Sequence, residues 1–213
     1  MKIMKINEHQ NLYLKQKNFD KLIIGFAGLP PKNNKNSYEF QFKRSLLFKE
    51  DLLADVLLLK DPDRMWYLNG IPGIASNFKN TLTFIRNLCK SYKKVICVGF
   101  SMGGYASILY GSLIENVISV FAFEPQINLN FIINDSPNLK VFKDRQPNIF
   151  SKYENLHDIL SQNKKYYVSF KQDASDVYHG KSHFDCISTK NNVHIISNET
   201  IHQNNFVNFL NTM

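Results

Sequence analysis

Short apolar runs recur along the chain with little internal alternation: Leu22 to Phe26, Val56 to Leu59, Val95 to Val98, Val117 to Phe123, Tyr166 to Phe170 and Val193 to Ile196. Near-continuous apolar runs of this length are the mark of strands buried on both faces, as in a parallel sheet. The stretches between them change period. Asn77 to Tyr92 places Phe78, Leu82, Ile85 and Leu88 at helical spacing, Tyr105 to Ile114 does so with Ile108, Leu109 and Leu113, and Gln203 to Leu210 with Phe206, Val207 and Leu210. Strands alternating with helices predict an α/β domain whose central sheet is mainly parallel and flanked by helices. Ligands then bind at the carboxyl ends of the strands, so the loops after the apolar runs are where chemistry is expected. The Asn-rich stretch 126–165 breaks the alternation. It is too long for a bare connection and is predicted to hold helix of its own, with Asn155 to Leu160 as the candidate.

Composition narrows the class. The 213 residues, 44% hydrophobic and 13% aromatic, suit one packed domain, 1–213, with no linker or internal repeat. No apolar run reaches the roughly eighteen residues of a membrane span. The first residues, Met1 to Lys17, are polar and lack the apolar stretch of a secretory signal. Cys89, Cys97 and Cys186 are odd in number and unrelated in spacing, which reads as reduced core thiols in a cytoplasmic protein. The formal charge of +8 comes from 26 Lys and Arg against 18 Asp and Glu. The lysines are scattered and asparagine is abundant, so no nucleic-acid partner is expected.

One motif carries chemistry. Gly99-Phe100-Ser101-Met102-Gly103-Gly104 follows an apolar run and opens a helix, which is Gly-x-Ser-x-Gly in the context it requires. A serine on so sharp a turn leaves no room for side chains two residues before or after it, the positions of Gly99 and Gly103. The turn exposes the hydroxyl and aims a helix N-terminus at developing negative charge. A phosphate-binding turn fits less well, because Gly-x-Gly-x-x-Gly is absent and no Lys follows Gly104.

The stretch Val95 to Gly111 resembles the nucleophile elbow of the α/β-hydrolase superfamily, whose triad runs Ser, then Asp or Glu, then His. The resemblance spans Leu22 to the C-terminus, and only the elbow is individually specific. More weakly, Trp66-Tyr67 and Phe123-Glu124-Pro125-Gln126 resemble small hydrolase-like proteins encoded with bacterial surface-polysaccharide genes, which implies acyl-ester chemistry on a sugar. The resemblance implies Ser101 as nucleophile and 126–165 as a lid or insertion. Its base lies on the loop after the last strand. Of six histidines, His202 fits that place, and His194 lies inside the strand. His179 and His183 are spaced i, i+4 but lack the Glu of a zinc-protease helix, so they read as a helix-surface pair and no metal is expected. The acid is Asp176, followed by the hydrophobe Val177, with Asp173 as the alternative; Asp185 falls in the following helix.

Oxyanion donors are expected at the backbone N–H of Met102 and on the loop after Leu22 to Phe26, where Leu29 is preferred and Gly28 and Ala27 are its neighbours. Trp66, the sole tryptophan, reads equally as a core anchor or a pocket wall, and Gln126 as a binder of a substrate hydroxyl or a lid hinge. The expected activity is a serine esterase or thioesterase acting on a small-molecule or glycan ester without a cofactor. The alternatives are an O-acyltransferase with the same triad and a non-catalytic binding protein of the same fold.

Overall fold

The computed structural model describes residues 2–5, 12–15, 19–29, 46, 52–170, 180–196 and 205–213. In chain order the strands are β1 (Lys2–Lys5), β2 (Leu12–Lys15), β3 (Lys21–Phe26), β4 (Asp55–Leu59), β5 (Lys94–Phe100), β6 (Val117–Phe123), β7 (Lys165–Ser169) and β8 (Val193–Ile195). The described helices are α1 (Phe78–Cys89), α2 (Met102–Leu113), α3 (Pro137–Arg145), α4 (Pro147–Tyr153), α5 (Lys181–Ile187) and α6 (Asn205–Thr212). The strands form one sheet in the order β1-β2-β4-β3-β5-β6-β7-β8. The six strands from β4 to β8 run parallel, and β1 and β2 add an antiparallel hairpin beyond β4. Each apolar run of the sequence is one of the six parallel strands. The hairpin had no such signal.

The absence of alternation in the strands follows from two cores. Leu22, Ile24 and Phe26 of β3, with Val95 and Cys97 of β5, pack on α1 and α2. Ile23, Val56, Leu58, Ile96, Val98, Phe121 and Phe123 face the other side, where Phe206, Val207 and Leu210 of α6 cover them. Cys89 and Cys97 are buried and Cys186 is half-buried, all as free thiols, so the last is not the core residue expected.

Helix α2 is buried along its length from Met102 to Gly111. Gly111 lets it press on β6, since a methyl group there would meet the Val120 side chain. Its outer side is covered by the 126–165 stretch, where Leu129, Ile132, Phe150, Tyr153 and Leu156 join the same core and the Tyr105 hydroxyl donates to Tyr153 O at 2.6 Å. Besides α3 and α4, that stretch holds short 3₁₀ turns at Leu129–Phe131, Ile133–Asp135 and Leu156–Ile159, the last within the span predicted helical. It leaves and rejoins the domain through one neck, where Leu129 N donates to Glu154 O at 2.8 Å and Leu156 N to Ile127 O at 2.9 Å. At the far end of α2 the Lys164 ammonium donates to the carbonyls of Gly111, Ser112 and Ile114. It satisfies carbonyls that a helix C-terminus leaves without intrahelical partners.

Candidate active site

The carboxyl ends of β3, β4, β5 and β6 meet around Ser101. Between β5 and α2 the chain turns within one residue, and Ser101 takes φ 55° and ψ −121°. That conformation is outside the regions open to an ordinary L-residue and is held only where its surroundings over-determine it. Ser101 N donates to Phe123 O at 2.8 Å, and Tyr105 N donates to Ser101 O at 3.0 Å as the first bond of α2. The flanking glycines are sterically required, as the sequence predicted. A methyl group on Gly99 would run into the Gly103 carbonyl, and one on Gly103 into the Phe26 carbonyl. The second contact also seats the loop after β3 against the start of α2.

Ser101 stands at the N-cap of α2, where a serine usually spends its oxygen on the helix's own N–H groups. Here it makes no such bond. Its Oγ accepts from Gln126 Nε2 at 3.0 Å, and Gln126 Oε1 accepts from the Trp66 indole N–H at 3.1 Å. Gln126 and Trp66 are buried, and Ser101 is 6% exposed. The two residues singled out after β4 and β6 are thus joined to each other and to the serine.

The loop that carries Trp66 is strained and tightly held. Arg64, Trp66 and Tyr67 all have positive φ. The Asp61 carboxylate, at the exit of β4, accepts from Met65 N at 2.9 Å and Tyr67 N at 2.8 Å on one oxygen, and from Asp63 N at 3.1 Å on the other. The Tyr67 hydroxyl reaches the carbonyls of Ala27 at 2.9 Å and Leu59 at 3.0 Å, and Tyr110 OH donates to Tyr67 O at 2.8 Å. Burial pushes the Asp61 carboxyl up to about 6, against the downward pull of the Tyr67 and Met65 N–H groups. Sequence reading passed over Asp61. Its signal was an Asp two residues past a strand and before Pro62, a turn-forming pair whose side chain bonds the backbone ahead of it.

His183 corrects an expectation. It lies on α5 but is wholly buried, not part of a surface pair. Its Nδ1 accepts from Ile127 N at 3.0 Å and Asn128 N at 3.3 Å, which assigns the ring proton to Nε2. It thereby fixes the backbone just after Gln126. The missed signal was its spacing from Ile187, four residues on and also buried, which puts both on the inner face of α5.

Met102 is buried as the first residue of α2, Gly28 is buried, and Leu29 is half-buried against the core. Ala27 N donates to Leu59 O at 3.0 Å, which removes Ala27 from the candidate oxyanion donors. His194 lies in β8 and Asp185 in α5, as read. Asp173, Asp176, His179 and His202 lie outside the described residues. No helix among the described residues is long and apolar enough to cross a membrane, and no group of potential metal ligands occurs among them.

No known protein family matches the chain, and no curated protein matches it by sequence. Solved structures do resemble it. The capsule O-acetyltransferase of Neisseria meningitidis serogroup A superposes with a TM-score of 0.65 at 16% identity, covering 95% of this chain and 90% of that one. An acetyl xylan esterase from Paenibacillus gives 0.59 at 12% identity over 95% and 78% of the two chains. An esterase from Pyrococcus furiosus gives 0.55 at 16% over 91% and 80%. The chain therefore has the α/β-hydrolase fold that its elbow motif implied.

Proposed function

We propose that the chain is a serine enzyme of acyl esters, with Ser101 as nucleophile, His202 as general base and Asp176 as the acid that orients it. The observation that carries this reading is the Ser101 backbone, held at φ 55° in a cradle of two obligatory glycines while its hydroxyl is left unspent on the helix it begins. Strain of this kind persists where function requires it.

His202 takes the Ser101 proton as Oγ attacks the ester carbonyl. The oxyanion forms against the N–H of Met102, at the start of α2, and that of Leu29 or Gly28 across the cradle. His202 protonates the departing alcohol, and an acceptor hydroxyl then resolves the acyl-enzyme. Trp66 and Gln126 form the polar floor below the serine oxygen. With water as acceptor the enzyme is an esterase working in the cytoplasm on a small-molecule or glycan ester. Transfer to a sugar hydroxyl is a second reading, favoured by the close match in extent to the capsule O-acetyltransferase.

A fluorophosphonate probe tests the assignment. Wild type is expected to be modified once, at Ser101, and Ser101→Ala to be unmodified and inactive on short acyl esters. Turnover by purified Ser101→Ala would overturn it. Including a sugar acceptor and following ester formed against acid released separates transfer from hydrolysis.

A further inference from the structure

We propose that Gln126, aimed by Trp66, is a catalytic hydrogen-bond donor that assists departure of the Ser101 oxygen from the acyl-enzyme; this rests on Ser101 being the nucleophile. The indole N–H of Trp66 can only donate, so the atom it meets, 3.1 Å away, is the amide oxygen of Gln126. The amide nitrogen is then turned toward Ser101 Oγ at 3.0 Å. Both ends of this relay are anchored. Asp61 holds the strained loop behind Trp66, and His183 Nδ1 holds the backbone N–H of Ile127 behind Gln126. A buried donor fixed in this way needs no reorganisation when charge develops on its partner.

Its benefit differs between the two half-reactions. In the resting enzyme the donor already bonds the hydroxyl oxygen, and only an interaction that strengthens on the way to the transition state accelerates a step. During acylation Oγ turns a lone pair toward the carbonyl carbon, so the bond from Gln126 gains little. In the acyl-enzyme Oγ is the bridging oxygen of an ester, a weak acceptor. The acceptor hydroxyl gives its proton to His202 and adds to the carbonyl. As the C–Oγ bond breaks, its electron pair returns to Oγ and the imidazolium returns the proton to it. Across that step Gln126 faces an oxygen gaining charge, and its hydrogen bond strengthens.

Stopped-flow hydrolysis of p-nitrophenyl acetate separates the two half-reactions. Gln126→Leu, of similar volume and without a donor, is expected to lower the deacylation rate about 10- to 100-fold, the worth of one hydrogen bond to a charged group. Acylation, read as kcat/KM, should stay within about threefold, so KM falls with kcat and a p-nitrophenol burst grows. Trp66→Phe keeps a ring but frees the amide, and should show the same split in weaker form. Thermal melting checks that each variant folds; if Gln126→Leu does not, Trp66→Phe decides. Equal losses in acylation and deacylation, or unchanged deacylation, overturn the proposal while leaving Ser101 as nucleophile. Failure of wild type to form any fluorophosphonate adduct overturns both.

Discussion

Asp61 makes the stability of this protein depend on pH in an unusual direction. Its carboxyl is about 1% exposed and is pushed from 3.8 up to about 6, chiefly by burial. A group whose folded pKa is raised binds its proton more tightly in the native state. Its stabilising contribution is complete below the unfolded value and is lost as pH rises through the folded one. The interval from 3.8 to about 6, at about 1.4 kcal/mol per unit, makes a loss of about 3 kcal/mol between about pH 3 and 8. Most paired carboxylates act in the opposite sense. Asp61→Asn removes the titration and keeps one acceptor oxygen for the Met65 and Tyr67 N–H groups. Urea unfolding read by the fluorescence of Trp66, the sole tryptophan and a resident of the loop Asp61 holds, measures both proteins across that range. The wild-type curve should fall by about 3 kcal/mol relative to that of Asp61→Asn. Parallel curves would show that the three N–H donors balance the burial cost. A wild-type curve that rises relative to the variant would show that they exceed it, and that the carboxyl titrates below its ordinary range.

Other outcomes follow from the same geometry. Asp176→Asn should lose about 10⁴-fold in kcat, as a triad acid does, and Asp173→Asn far less, with both folded; the reverse order moves the acid to Asp173. Lys164→Met, which uncaps the buried C-terminal carbonyls of α2, should lower stability by about 2–3 kcal/mol in chemical denaturation, and retention of full stability would assign the cap no energetic role. With the short 126–165 stretch as its cover, acetyl and other short acyl esters should be preferred, measured as kcat/KM along a chain-length series; a steady rise to about twelve carbons would contradict this.

What the sequence disclosed and what it hid divide along physical lines. The central parallel strands were legible because burial on both faces leaves nearly continuous apolar runs such as Val117 to Phe123, broken only by the buried Ser119, whereas β8 at the sheet edge is half-buried to exposed. The elbow was legible because its motif lies within five residues and the clash that excludes a side chain at Gly99 is with Gly103 itself, whereas the clash at Gly103 is with the distant Phe26 carbonyl and could not be read locally. β1 and β2 were not, since four residues, lysine among them, are too few to establish a period. The Trp66–Gln126–Ser101 relay joins residues 60 and 25 positions apart, and nothing local in either sequence neighbourhood announces the partner. The same holds for His183, whose two N–H partners lie 56 and 55 positions away. Polar pairs of this kind are created by the sheet order, so they become readable only once that order is known.

The burial of α2 has a bearing on how the chain is made. Its sequence, MGGYASILYGSL, offers little polar surface to water, and its cover comes from two sources. One is the sheet, through β3 and β5 before it and β6 just after it. The other is the stretch that ends with Tyr153 and Leu156, some forty residues later. A chain emerging from the ribosome at about 5–20 residues per second therefore holds this apolar segment exposed for seconds before its second cover exists. Until then the segment has the character of an aggregation site, even though the contacts of the serine turn with Phe26 and Phe123 lie in chain already made. Synthesis must pass the neck at residues 127–129 and 154–156 before the outer side of α2 is covered, so truncations that stop short of the neck should yield sticky chains while the apolar strand runs before it are already present.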